Sequence, residues 1–113
     1  MNHLKWSKIE KKIAREAFDK AYELECSYVA GRILERANQI KKPDDIWRLH
    51  DFLTEKRKEV DEKYDYRYSV LELVFGRLIK DGWLDFADLE GLNEEKIGRI
   101  KSLLRFSESN IEK

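Results

Sequence analysis

The sequence predicts an all-α protein: a long N-terminal helix, a helical hairpin and a compact C-terminal helical head, with two copies joined antiparallel through the long helices. Three observations lead there. Apolar residues recur at spacings of three and four from Ile9 to Ile40, the period of one helix face. One proline and five glycines punctuate 113 residues, too few for a loop-rich β-sandwich. The chain is 42% hydrophobic and 41% charged, which suits helices with one greasy stripe and a charged remainder. Zero net charge, with three Trp, five Tyr and five Phe, sets it apart from a disordered polyampholyte.

Ser7-Lys8-Ile9-Glu10 reads as a capping box, in which the Ser hydroxyl and the Glu carboxylate satisfy each other's amides. No proline follows until Pro43. A helix from about residue 8 to about residue 41 would be roughly 50 Å long. A compact domain of about 100 residues is only about 35 Å across, so such a helix projects beyond its core or breaks. Gly31 is the expected weak point, or a place where another helix comes close. The overhanging stripe calls for a second copy as cover, hence a symmetric dimer. Residues 1–42 carry 10 Lys/Arg against 6 Asp/Glu, and residues 43–113 carry 13 against 17. That asymmetry weakly favours antiparallel self-association.

Pro43 forces Lys42 out of helical geometry, and Asp44 or Asp45 caps the next helix, expected from about Asp45 to Tyr64. A third helix reads from Asp65 or Tyr66 to Asp81, with Gly82 as a left-handed C-cap. Trp83 to Gly91 reads as a turn and a short helix, with Trp83 and Phe86 plugging the base of the last one. Asn93 caps that helix, from about Glu94 to Phe106, and Ser107 to Lys113 is expected to fray. The division is then 1–64, an extended dimerisation region, and 65–113, the head.

Chemistry is scarce. There are two histidines, His3 and His50, and one cysteine, Cys26. No HExxH, CxxC or phosphate loop is present, so no metal, cofactor or enzymatic activity is expected. His50 and Asp51 are neighbours on a helix, pointing about 100° apart, and do not read as a dyad. Asp61, Glu62 and Asp65 read as helix-end caps rather than a cation site. A lone Cys26, read as a small buried hydrophobe, and the lack of a signal-type apolar run point to the cytoplasm. No apolar stretch approaches the about 20 residues of a membrane span. Lys8, Lys11, Lys12 and Arg15 are interrupted by Glu10, Glu16 and Asp19, which argues against nucleic acid as a partner.

Residues 46–62 carry the most information. On a helical wheel Ile46, Leu49, Phe52, Leu53 and Val60, with the Lys56 stem, form a core arc. Arg48, Glu55, Glu59 and Glu62 form a solvated arc. A third arc holds Trp47, His50, Asp51, Thr54, Lys58 and Asp61, with Arg57 at its border. Trp and Arg are the side chains most enriched at binding hot spots. The plainer alternative packs Trp47 under a neighbouring helix of the dimer and pairs Asp51 with Arg57 or a terminus. His50 reads either as a group titrating near neutral pH or, more commonly for a lone helix histidine, as a hydrogen-bonding spacer. Tyr64, Tyr66 and Tyr68 cannot all face the core from one helix, so at least one is expected on the surface.

Several strings here form a pattern: Asp44-Asp45-x-Trp47-x-Leu49-His50-Asp51-Phe52-Leu53, then Lys56-Arg57, then Asp61-x-Lys63-Tyr64-Asp65-x-Arg67-x-Ser69-Val70 and Val74-Phe75. With Trp6-Ser7, Phe18-x-Lys20-Ala21-Tyr22, Glu25, Glu90, Leu92 and Ile100-Lys101, the chain resembles the fluorescence recovery protein family over about residues 6–105. The resemblance implies a non-enzymatic, dimeric, all-α regulator. Such a protein binds the photoactivated orange carotenoid protein, chiefly at its C-terminal domain. It speeds return to the inactive orange state and so ends quenching at the phycobilisome. Trp47, His50, Asp51 and Arg57 match the family's functional surface. Phe75 and, by position, Leu73 and Arg99 match a second contact on the head. Leu73 stands where the family pattern has an aromatic, and Arg99 where it has a lysine-type charge. The alternative expectation is a dimeric helical adaptor of the same family, binding another protein in a bacterium without the carotenoid protein.

Overall fold

Ser7 starts α1 (Lys8–Asn38) through the capping box. Its hydroxyl accepts from the Glu10 amide at 3.1 Å, and the Glu10 carboxylate accepts from the Ser7 amide at 3.0 Å. A computed structural model describes the backbone of residues 5–112 and the side chains of residues 5–106; His3 lies outside the described residues. α2 (Pro43–Lys63), α3 (Leu71–Lys80), a 3-10 turn (Phe86–Leu89) and α4 (Glu94–Glu112) follow. No strand occurs among the described residues.

α1 is one unbroken rod, about 46 Å at 1.5 Å per residue. Gly31 neither breaks it nor meets a neighbouring helix, since a Cβ built there would have nothing within 4 Å. The expectation for Gly31 therefore fails within one chain. The rod does overhang: the radius of gyration is 17.2 Å and the extents are 56 × 36 × 23 Å, against about 13 Å for a compact chain of about 100 residues.

The two halves of α1 do different work. Its first half lies on the head through Ala14, Ala17, Phe18 and Ala21, which join Leu71, Val74, Phe75, Leu78, Leu89 and Ile100 in one core. The small alanines let the helix sit close. Its second half pairs with α2 as a two-helix arm. Across that arm Leu49, Phe52 and Lys56 are half-buried and only Val60 is buried, while Ile46 and Leu53 stay exposed. The core arc read from the wheel is real, but one partner helix covers only part of it. A boundary at residue 64 would cut the head's core in two. The head is made of 65–112 together with the first half of α1.

α3 begins at Leu71, not at 65 or 66. Residues 64–70 form an extended stretch and a turn. Tyr64, Tyr66 and Tyr68 alternate along it, as side chains on a strand do, and all three are partly buried. Tyr64 and Tyr66 meet the Phe18 ring edge-on at 5.4 and 4.9 Å, and Tyr68 meets Trp6 at 5.6 Å. The expectation of an outward tyrosine assumed a helix that does not form.

At the end of α3, Gly82 takes φ +89°. The Gly82 amide bonds to the Ile79 carbonyl and the Trp83 amide to the Leu78 carbonyl, the Schellman pattern. Trp83 then lies half-buried at 5.7 Å from Tyr28, and Phe86 sits below the Lys101 ammonium. Gly91 has φ +106°, and a Cβ there would collide with Ile13 on α1. The Asn93 side chain accepts from the Lys96 amide at 2.9 Å, as its capping role requires. α4 runs on to Glu112, past the expected end at Phe106; Lys113 lies outside the described residues.

Candidate partner-binding surfaces

Pro43 at the first turn and Asp45, whose carboxylate accepts from the Lys41 and Lys42 amides, set the start of α2 and hence the phase of its outer face. Every member of the third arc is exposed: Trp47, His50, Asp51, Thr54, Arg57, Lys58 and Asp61. Trp47 keeps 62% of its surface in solvent in the single chain. The Trp47 and His50 rings meet edge-on at 6.5 Å. His50 Nδ1 lies 3.4 Å from Asp51 Oδ1, the long limit of a hydrogen bond, so these neighbours do touch. Arg57 does not pair with Asp51. Its Nε donates to Asp61 Oδ2 at 3.0 Å, because Asp61 is four residues on and Asp51 is six residues back around the helix. The rest of the guanidinium faces solvent, with the Arg57 side chain 80% exposed.

The head presents a second surface. A groove of 610 Å³ between α3 and α4 is lined by Tyr68, Glu72, Leu73, Arg99, Leu103 and Phe106, among others. Leu73 and Phe106 are 57% and 68% exposed. Arg99 is held by Glu72, Nε to Oε1 at 2.7 Å and Nη2 to Oε2 at 2.9 Å. That bond keeps the guanidinium above its ordinary range and displays it at the rim. Phe75 is not part of this surface. It has no exposed area and packs among Leu71, Val74 and Leu78, the i, i+3, i+4, i+7 face of α3 that the head buries. The expectation of a contact at Phe75 is corrected: it is a core residue of the head. Phe106 was not singled out, although it falls about 120° away from Ile100 on the wheel.

Two buried ionic clusters were also missed. Lys96, 1% exposed, donates to the Lys5 carbonyl at 2.8 Å and to Glu10 at 3.2 Å. The Asn93 amide reaches the same carboxylate at 2.9 Å. Burial opposes the ionised Glu10, but the Ser7 and Asn93 amides and the Lys96 ammonium outweigh it and hold the carboxyl below its ordinary value. In the second cluster Lys63 Nζ sits 2.7 Å from Glu25 Oε1 and 3.2 Å from Asp81 Oδ2. The Tyr64 hydroxyl donates to Glu25 at 2.9 Å, and burial with that bond drives its phenol far above the usual range. The signal was present in the sequence: Glu10, Glu25, Lys63 and Lys96 all fall at the phase of an apolar stripe.

Among the described residues no cluster of His, Cys, Asp or Glu could hold a metal, and no helix is long and apolar enough to cross a membrane. The fold is an all-α head with a two-helix arm, and it carries two exposed surfaces of mixed aromatic and charged side chains. The family described as the photoprotection regulator fluorescence recovery protein matches residues 6–104. The fluorescence recovery protein of Synechocystis sp. (strain ATCC 27184 / PCC 6803 / Kazusa) is 42% identical over 100 residues, 88% of this chain and 92% of that protein. The solved structure of the Fremyella diplosiphon fluorescence recovery protein is similar at TM-score 0.85 and 50% identity, over 89% of this chain and 99% of that one. The structure from Synechocystis sp PCC 6803 matches at TM-score 0.85 and 42% identity over the same shares. The chain belongs to the fluorescence recovery protein family, a family of regulators rather than enzymes.

Proposed function

We propose that this chain is a cytoplasmic, dimeric, non-enzymatic regulator that binds the photoactivated orange carotenoid protein through that protein's C-terminal domain. It accelerates return to the inactive orange state and so ends phycobilisome fluorescence quenching. Family membership supports this reading, and one observation carries it: the residues that match the family's functional surface, Trp47, His50, Asp51 and Arg57, are all exposed on one side of α2. Leu73 and Arg99 share the head groove and serve as the second contact. Homodimerisation is supported by the long helices, where Leu34, Ile46 and Leu53 on the arm and Leu24 and Tyr28 beside the junction are exposed. A second copy laid antiparallel along α1 and α2 would cover such a stripe.

The regulator speeds relaxation only by binding the open state and then favouring the route to the closed one more strongly, since a ligand acts through differential affinity. Arg57 supplies several N–H donors to an acidic or carbonyl-lined surface, and Trp47 supplies buried area. The test is to mix the purified protein with photoactivated carotenoid protein and time the red-to-orange change in the dark. Unaccelerated relaxation, with complex formation absent, overturns the reading. A second reading, an adaptor for a different protein partner, is favoured by Leu73, which stands where the family pattern has an aromatic. The same relaxation assay, together with a search of the source genome for a carotenoid-binding partner, decides between them.

A further inference from the structure

The Glu25, Lys63 and Asp81 cluster belongs to neither exposed surface, yet it sits where the arm meets the head. Glu25 marks the change of duty along α1. The residues buried before it, Ala14, Ala17, Phe18 and Ala21, face the head, whereas Cys26, Val29 and Ile33 after it are half-buried beside α2. Lys63 is the last residue of α2, and Asp81 is the C-cap of α3. One ammonium therefore ties three elements together, in bonds of 2.9 Å to Glu25 and 3.2 Å to Asp81. Both partners in the Lys63–Glu25 pair are 5% exposed. Stability alone does not call for such a pair, because apolar side chains of equal volume serve a core as well or better. Ionic hydrogen bonds differ from apolar packing in fixing direction as well as proximity.

We propose that Glu25, Lys63 and Asp81 are positioning residues: a joint that holds the arm at one angle to the head. The Trp47–Arg57 arc and the Leu73–Arg99 groove are thereby held at a fixed separation and engage one partner together. The second half of this inference rests on the two-surface reading above; the first half does not. Two surfaces held at the right spacing act on a partner at high effective concentration, and a loose joint forfeits that gain without removing any contact.

The test places spin labels at Glu55→Cys on the arm and Ala87→Cys on the head, in a Cys26→Ala background. Labelled chain is diluted into excess unlabelled protein so that only intrachain distances are read. Asp81→Ala cuts the head's tie at a partly exposed position. A second variant, Glu25→Met with Lys63→Met and Tyr64→Phe, removes the buried polar groups at nearly constant volume. The parent is expected to give one narrow distance. Each variant that retains the parent's helical circular dichroism is expected to at least double the width and to slow accelerated relaxation of the carotenoid protein about five-fold or more. Asp81→Ala, with its side chain 33% exposed, decides the matter if the triple variant does not fold. A width equal to the parent's overturns the joint; a doubled width with full acceleration overturns the claim that the joint makes the two surfaces engage one partner together. The distance measurement needs no partner, so a parent protein that fails to accelerate relaxation counts against the partner assignment and leaves the joint standing on its width.

Discussion

Phe75→Ala separates a core residue from a contact residue. Phe75 has no exposed surface and is enclosed by Leu71, Val74 and Leu78. Truncating a buried phenylalanine costs the transfer of the lost ring plus the cavity it leaves, about 3–5 kcal/mol. For a chain of roughly 100 residues each kcal/mol lowers the melting temperature by about 4 °C at least. A loss of about 4 kcal/mol therefore lowers it by about 16 °C. Leu73, two residues away and 57% exposed, should cost within about 0.5 kcal/mol as alanine. The assay is thermal unfolding followed by helical circular dichroism, at one protein concentration because association shifts the midpoint. Phe75→Ala melting within 2–3 °C (roughly half a kcal/mol) of the parent, or Leu73→Ala melting as low as Phe75→Ala, would refute the assignment of Phe75 to the core.

Other outcomes follow from the same structure. On the proposed function, Arg57→Leu should abolish accelerated relaxation and leave the association state and the melting temperature unchanged, since the Arg57 side chain is 80% exposed; recovery kinetics check the first outcome, and light scattering with thermal unfolding the second. Glu10 has a carboxyl held below its ordinary 4.5, burial opposing and the Ser7 and Asn93 amides and Lys96 prevailing. A depressed folded value adds stability that is complete above about pH 4.5 and lost as pH falls through the lower folded value. Melting temperature against pH should therefore fall less steeply below 4.5 in Glu10→Gln than in the parent, and parallel curves would contradict the sign. Gly91→Ala meets both a positive φ and Ile13. It should destabilise by about 1 kcal/mol or more in chemical denaturation, chiefly through the left-handed backbone, and a neutral result would mean that the turn relaxes to a negative φ.

The wheel placed the outer face of α2 correctly because one helix has one phase, set by Pro43 and Asp45 at its start. Periodicity also found α1, the Gly82 cap and the Asn93 cap, all of which depend on residues close in sequence. It failed at residues 64–70, where packing of three tyrosine rings on α1 outweighs local helix propensity. The resemblance misplaced Phe75, because matching a pattern of residues says nothing of which face of α3 the head buries. The ionic clusters were half legible. A charge at the phase of an apolar stripe is visible in the sequence, but its partner is not: Lys63 finds Glu25 38 residues away, and Lys96 finds Glu10 86 residues away.

The three tryptophans lie in three different settings. Trp6 is buried in the head beneath the Lys96 ammonium, Trp83 is shielded by Tyr28 where the arm leaves the head, and Trp47 stands in solvent on the arm. Each region thus carries its own native fluorophore. Single-indole versions, with Phe in place of the other two, would report on separate events by emission colour and iodide quenching. Docking at the arm would blue-shift and protect only Trp47, movement at the junction would unmask Trp83, and loss of the head's interior would red-shift Trp6.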